Sequence, residues 1–161
     1  FGSGGARKVP DGFDAAQAKQ QFVTFAKRIA PAAQKAGVKL ALEPLNRKET
    51  NFINSLADGI EIVDAVAHPA FRLHADVYHM MQEDEPPSAI TAGGSRIVHV
   101  HVAQKGTRHA PMPGGSDFRT YFKALKGIGY KDRIAVEAVW QEGVDRFDQI
   151  AKFLKEQWDA A

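Results

Sequence analysis

Four ionisable residues, Glu43, Asp76, His101 and Glu137, each stand at or near the end of a short apolar run. Glu43 follows Val38-Lys39-Leu40-Ala41-Leu42, and Asp76 closes Phe71-Arg72-Leu73-His74-Ala75. His101 lies in Ile97-Val98-His99-Val100-His101-Val102, and Glu137 follows Ile134-Ala135-Val136. Three carboxylates and one imidazole suit a single divalent hard or borderline cation such as Mn²⁺, Mg²⁺, Co²⁺ or Zn²⁺. Without a cation, three buried carboxylates repel one another at a cost of several kcal/mol. One acid at a strand end is ordinarily a solvated loop group. Four on successive strands, all on one face, point to a shared site. His99 alone reads as a hydrogen-bonded interior histidine, with a ligand role as the alternative. His79, in Asp76-Val77-Tyr78-His79, is a substrate contact, a second ligand or a loop cap, and the first is preferred. The start, Gly2-Ser3-Gly4-Gly5, offers backbone N–H groups to an anion but lacks the Lys and spacing of a P-loop.

These residues need elements to carry them. The pattern predicts strands over 38–43, 71–76, 96–103 and 133–139, with a strand end over 1–5 running into a glycine-rich loop. Helices are predicted from Asp14 to Ala36, from an Asn54 or Ser55 cap to His68-Pro69, over a short stretch ending at Ala92, over 117–126 and over 144–158. Phe22, Phe25, Ile29 and Ala33 form the apolar stripe of the first helix, and Pro31 should kink or split it. Residues 104–115, with Gly106, Pro111, Pro113, Gly114 and Gly115, read as a long loop. Strands separated by helices imply parallel βαβ units. Strand side chains alternate, so Val38, Leu40 and Leu42 share one face and Ala41 and Glu43 the other. His74 pairs with Asp76, and His99 with His101, in the same way. Glu137 opposes Ile134 and Val136. All four strands therefore turn branched apolar groups toward helices and an ionisable group toward the opposite face. In a parallel barrel that face points inward, and the C-terminal strand ends are where chemistry sits.

Composition narrows the classes. The 161 residues suit one domain, 1–161. Lys and Arg exceed Asp and Glu by only two, and no basic cluster occurs, so a nucleic-acid partner is not expected. The absence of cysteine excludes a disulfide framework, a thiolate metal site and a cysteine nucleophile. No run approaches 18 apolar residues, so no membrane span is expected, and a cytoplasmic location is the expectation. The chain begins at Phe1, so a targeting segment could already have been removed.

The run Glu43-Pro44-Leu45-Asn46-Arg47-Lys48-Glu49 resembles the Glu-Pro-x-Asn-Arg-x-Glu motif of the sugar phosphate isomerase/epimerase family with a xylose-isomerase-like TIM barrel, which includes D-tagatose 3-epimerase and related ketose 3-epimerases. Asp76-Val77-Tyr78-His79-Met80 resembles its Asp-x-x-His-Met segment, His99-Val100-His101-Val102 its His-x-His-Val strand, and Val136-Glu137 its last strand. The order and spacing agree over about residues 1–140. The resemblance implies that Glu43, Asp76, His101 and Glu137 bind one divalent metal, and that Glu43 and Glu137 form the acid/base pair. It also implies substrate contacts from His79 and Arg108 and an assisting acid at Glu49. One departure is Gln104, where the family often has Glu.

A complete barrel has eight strands and about 250 residues. The resemblance therefore implies an α/β fold that is about the C-terminal half of a (β/α)₈ TIM barrel, strands five to eight with their helices. An arc of strands leaves open edges. About 90–130 further N-terminal residues, or a second copy in a homo-oligomer, are expected to complete it. The implied function is a divalent-metal isomerase or epimerase acting on a ketose or related small sugar by enediolate proton transfer. The alternatives are a metal-dependent lyase or dehydratase of a keto-inositol substrate, an endonuclease IV-like hydrolase, or an inactive half-domain.

Overall fold

The computed structural model describes residues 2–140 and 146–161. Phe1 in the first expected strand, and the expected helix start at Val144, lie outside the described residues. The elements are α1 (Gly4–Arg7), α2 (Ala15–Lys35), β1 (Leu40–Leu42), α3 (Leu56–Val66), β2 (Phe71–Asp76), α4 (Val77–Gln82), α5 (Ser88–Gly93), β3 (Ile97–Val102), α6 (Arg119–Gly127), β4 (Ile134–Val136) and α7 (Phe147–Asp159). All neighbouring strands are parallel, in the order β1-β2-β3-β4. Sequence order equals spatial order, as in half of a singly wound α/β barrel. No helix among the described residues is long and apolar enough to cross a membrane.

The core lies on the helix-facing side of the sheet. Leu42, Leu73, Val100 and Val102 are fully buried there with Phe118, Phe122 and Leu125. Gly59 of α3 comes so close that a Cβ at this position would stand 2.6 Å from Leu73 Cδ1. A side chain there would force the fully buried Leu73 to shift, so glycine suits this close approach. The other face of the sheet carries the polar groups: Glu43, His74 and Asp76 are all buried. This matches the alternation expected from the sequence, except at Val38, which precedes β1 and is exposed.

Local signals account for the boundaries. Asp14 caps α2 by accepting the Gln17 N–H at 2.7 Å. Ser55, not Asn54, caps α3 in a capping box: its Oγ accepts the Asp58 N–H, and the Asp58 carboxylate accepts the Ser55 N–H, both at 3.1 Å. Asn54 instead ties the preceding loop, its side-chain amide donating to the carbonyls of Leu45 (2.7 Å) and Thr50 (3.0 Å). We expect Ser55→Ala to lower stability by about 1 kcal/mol, the usual cost of a lost cap, in a denaturant titration. An unchanged midpoint would mean that Asp58 alone satisfies the helix end.

Three expectations are corrected. Pro31 does not split α2, which runs unbroken as a 21-residue helix. Pro31 and Lys27 are both exposed, so the Lys27 carbonyl that loses its partner can turn to water. The buried stripe of α2 is Ala26, Ala30 and Ala33, while Phe25 is 48% exposed. Small side chains let this helix approach the layer beneath it. Within the expected loop at the start, Gly4–Arg7 forms a helical turn.

Candidate metal centre

Each of the four singled-out residues sits at the C-terminal end of its strand. Glu43 follows β1, Asp76 ends β2, His101 is in the last turn of the pleat in β3, and Glu137 follows β4. Parallel register sets Asp76 beside His101, and His101 beside Ala135, two residues before Glu137. All four therefore share the inner face. Their nearest ligating atoms lie within 4.8 Å of one another. Glu43 Oε1, Asp76 Oδ2 and Glu137 Oε2 stand 3.7, 3.9 and 3.5 Å from His101 Nδ1. Among the described residues, the buried Glu43 Oε1 and His101 Nδ1 have no hydrogen-bond partner.

The electrostatics follow from crowding. Burial raises the pKa of the Glu43 carboxyl, but the imidazoles of His101, His74 and His79 outweigh it and hold the group at about 2. Burial, and then the Glu43 carboxylate, push Asp76 up to about 7. Burial works to lower His101, yet Glu43, Asp76 and Glu137 overcome it and raise its pKa. Protons on Asp76 and His101 thus balance charge that a divalent cation would otherwise balance.

Asp76 has two tasks. Its Oδ1 accepts the Tyr78 N–H at 2.8 Å as the N-cap of α4, which leaves Oδ2 aimed inward. The short helix α4, not foreseen in the sequence, turns His79 back into the site. His79 is 3% exposed. Its Nδ1 lies 3.2 Å from the Asn46 backbone N–H and 2.8 Å from the Asn46 side-chain amide nitrogen. The backbone donor requires a lone pair on Nδ1, so the proton of the neutral ring is on Nε2. That Nε2 is 3.7 Å from Asp76 Oδ2.

The remaining expected residues join at the rim. Arg108 donates to Glu137 Oε2 at 2.6 Å and to Glu49 Oε1 at 3.1 Å, and its guanidinium lies 5.0 Å from the Tyr78 ring centroid. Arg108 holds a left-handed backbone, φ +56°, which an L side chain adopts at some cost. Its N–H donates to Gln104 O at 3.0 Å, and its carbonyl accepts from Val139 N at 2.8 Å. Glu49 also accepts from the Asn46 side chain at 3.1 Å. Arg47 leaves the site and pairs with Glu83 on the surface. Gln104 accepts the Ser116 N–H at 2.5 Å and so ties the ends of its loop together.

Sequence reasoning gave no role to Asn46, Tyr78 and Arg7, and read Gly2 only as part of a glycine-rich loop. Asn46 lies inside the recognised motif, and its side chain has the donors that a histidine or carboxylate needs. Arg7 is half-buried, and burial pulls its guanidinium down to about 10 against the charges of Glu43 and Glu49. Gly2 presses on Glu43: a Cβ at this position would stand 1.7 Å from Glu43 Oε2. No spacing rule announces either contact. At Gly5, three residues on, a Cβ would meet nothing within 4 Å. We therefore expect Gly2→Ala to weaken Mn²⁺ binding at least about tenfold, as loss of support around a metal ligand does. Gly5→Ala should leave it unchanged. Calorimetric titration of both variants checks this, and equal affinities would remove Gly2 from the support of Glu43.

A family profile for the xylose isomerase-like TIM barrel matches residues 2–157. The chain belongs to that family. Within it, this xylose isomerase-like barrel segment is 35% identical over 124 residues to the L-ribulose 3-epimerase of Methylomonas sp. (strain DH-1), spanning 76% of this chain and 43% of that protein. It is 33% identical over 114 residues to the ketose 3-epimerase of Arthrobacter globiformis, spanning 69% and 38%. It superposes on the crystal structure of D-allulose 3-epimerase from Methylomonas sp. with a TM-score of 0.80 at 29% identity, covering 93% of this chain and 59% of that one. The chain thus spans less than half the length of these curated relatives. Both the family and the partial barrel agree with the motifs around Glu43, Asp76, His101 and Glu137.

Proposed function

We propose that this segment carries the metal and acid/base half of a divalent-metal-dependent ketose 3-epimerase. The observation that carries the reading is the convergence of Glu43, Asp76, His101 and Glu137 within 4.8 Å at the ends of successive parallel strands. Sequence similarity to L-ribulose and ketose 3-epimerases supports the substrate class. The donor set fits a divalent cation: three carboxylates bring more negative charge than the neighbouring imidazoles offset, and two buried ligating atoms lack partners. Glu43, Asp76, His101 and Glu137 would hold the ion. When bound, it supplies Lewis acidity that makes the C–H beside a ketose carbonyl more acidic.

The residues of the chain divide the rest of the work. Glu43 and Glu137 come from the two outer strands of the sheet, β1 and β4, and face each other across His101. One takes the proton from C3, and the other returns a proton to the opposite face of the same carbon. Arg108 holds Glu137 Oε2, which orients this carboxylate and leaves Oε1 toward substrate. The Nε2–H of His79, fixed by Asn46, donates to a substrate oxygen. Glu49 and Arg108 close the outer end and pair with sugar hydroxyls. Burial of Asp76 and His79 keeps water from the deep side of the site.

Turnover of L-ribulose by the protein in D₂O tests the reading. Deuterium at C3 of the epimerised product is the expected result, because a carboxylic acid exchanges its proton with solvent between half-reactions. Full conversion without label would replace proton transfer with a hydride shift. A dehydrated product would move the assignment to the lyase alternative.

A further inference from the structure

One pleat below the carboxylate cluster, three imidazoles meet on the inner face. Register pairs His74 with His99 just as it pairs Asp76 with His101. His74, His99 and His101 each offer a ring nitrogen, and these nitrogens lie within 4.8 Å of one another. Ring centroids are 4.1 Å apart for His74 and His101, 4.7 Å for His99 and His101, and 5.1 Å for His74 and His99. His99 Nε2 lies 3.0 Å from His101 Nε2. His74 is 3% exposed, and its buried Nε2 has no hydrogen-bond partner among the described residues. A buried polar nitrogen without a partner is costly, and a cation shared by the three rings would satisfy it.

We propose that His74, His99 and His101 form a second cation site, suited to borderline ions such as Zn²⁺, Cu²⁺ or Ni²⁺, which competes with the carboxylate cluster for His101. Imidazole donors favour these ions, whereas carboxylates suit Mg²⁺ and Mn²⁺. A neutral imidazole has one lone pair and one N–H. With its Nδ1 turned to an ion among the carboxylates, His101 carries its proton on Nε2 and donates it to His99 Nε2. With its Nε2 turned to an ion in the triad, the proton moves to Nδ1 and faces Glu43 and Glu137. A neutral ring supplies one site at a time, so an ion in the triad withdraws a ligand from the other centre. The triad stands on its own geometry; only the competition rests on the epimerase reading.

Cu²⁺ is the probe. In a variant carrying Asp76→Asn and Glu137→Gln, one equivalent of Cu²⁺ should bind and give an electron paramagnetic resonance spectrum split by three nitrogens. Adding His99→Leu should abolish the three-nitrogen pattern and weaken binding at least about tenfold. His99→Gln and His74→Gln, which keep a polar side chain, should do the same if the leucine variant fails to fold. Copper binding that survives all three substitutions unchanged, or a one-nitrogen spectrum in the parent, overturns the site. In the wild type loaded with Mn²⁺, Zn²⁺ should release manganese, and His99→Leu should blunt that release. Equal release from both proteins would place zinc among the carboxylates and overturn the competition. Failure of the wild type to bind Mn²⁺ at all would count against the epimerase reading, while the copper arm still decides the triad.

Discussion

Replacing Asp76 by Asn should remove tight Mn²⁺ binding while the protein stays folded. Asn is as good a helix cap as Asp, so the bond to the Tyr78 N–H, 2.8 Å in the wild type, survives and α4 keeps its place. What disappears is the inward anionic oxygen beside His101. Removal of a partner in the shell around a metal costs about 10–100-fold in affinity, and a direct ligand should cost at least the upper end. The pH dependence adds a sharper signature. The Asp76 carboxyl of the metal-free protein is raised to about 7, by burial and then by Glu43. A raised carboxyl stabilises the folded metal-free state fully below its unfolded value of about 3.9, and that contribution is lost as pH rises through about 7. A cation must displace this proton and the one on His101, whose pKa is also raised, so wild-type affinity should rise by more than about tenfold per pH unit below about 7. Calorimetry of the metal-free protein at pH 6 and pH 8 checks both points. Equal affinities for wild type and Asp76→Asn would remove Asp76 from the centre.

Glu137→Gln should separate binding from catalysis. Glu137 has a half-exposed side chain and already gives one oxygen to Arg108, a contact that the Gln carbonyl oxygen can keep. Folding and much of the metal affinity should therefore persist. An amide cannot accept a proton from carbon, so turnover should fall by about 10²–10⁴, the range for loss of a general base. Exchange of the C3 hydrogen with D₂O should be lost with it. Exchange at the wild-type rate in this variant would transfer the base role to Glu43 alone. The matching change Glu43→Gln is expected to weaken metal binding as well, because Glu43 is buried among His74, His101 and Asp76 and its charge has no solvent to replace it. Measuring metal affinity and deuterium exchange on the same samples distinguishes the two carboxylates.

The alternation of apolar and polar residues by itself places Glu43, Asp76, His101 and Glu137 on one face. That inference needs only the two-residue period of a strand, which is a local property of the backbone. The cap at Asp14 was legible for the same reason, and the cap of α3 was narrowed to Asn54 or Ser55: a side chain reaching a backbone N–H three residues on is a short-range event. Whether Pro31 would split its helix depends on whether the orphaned carbonyl can reach water, and only the packed helix decides which side is exposed. Helix α4 was missed because six residues are too few for a periodic signal. Contacts distant in sequence were beyond reach altogether. The proton on His79 Nε2 follows from Asn46, 33 residues away. The crowding of Glu43 by Gly2, and the link from Arg108 to both Glu49 and Glu137, arise only when separate βα units close on one another. Sequence by itself determined which side chains face inward, since that is a matter of chain geometry. Tertiary structure decided their distances, protons and tautomers, since these depend on what desolvates each group and which charge lies beside it.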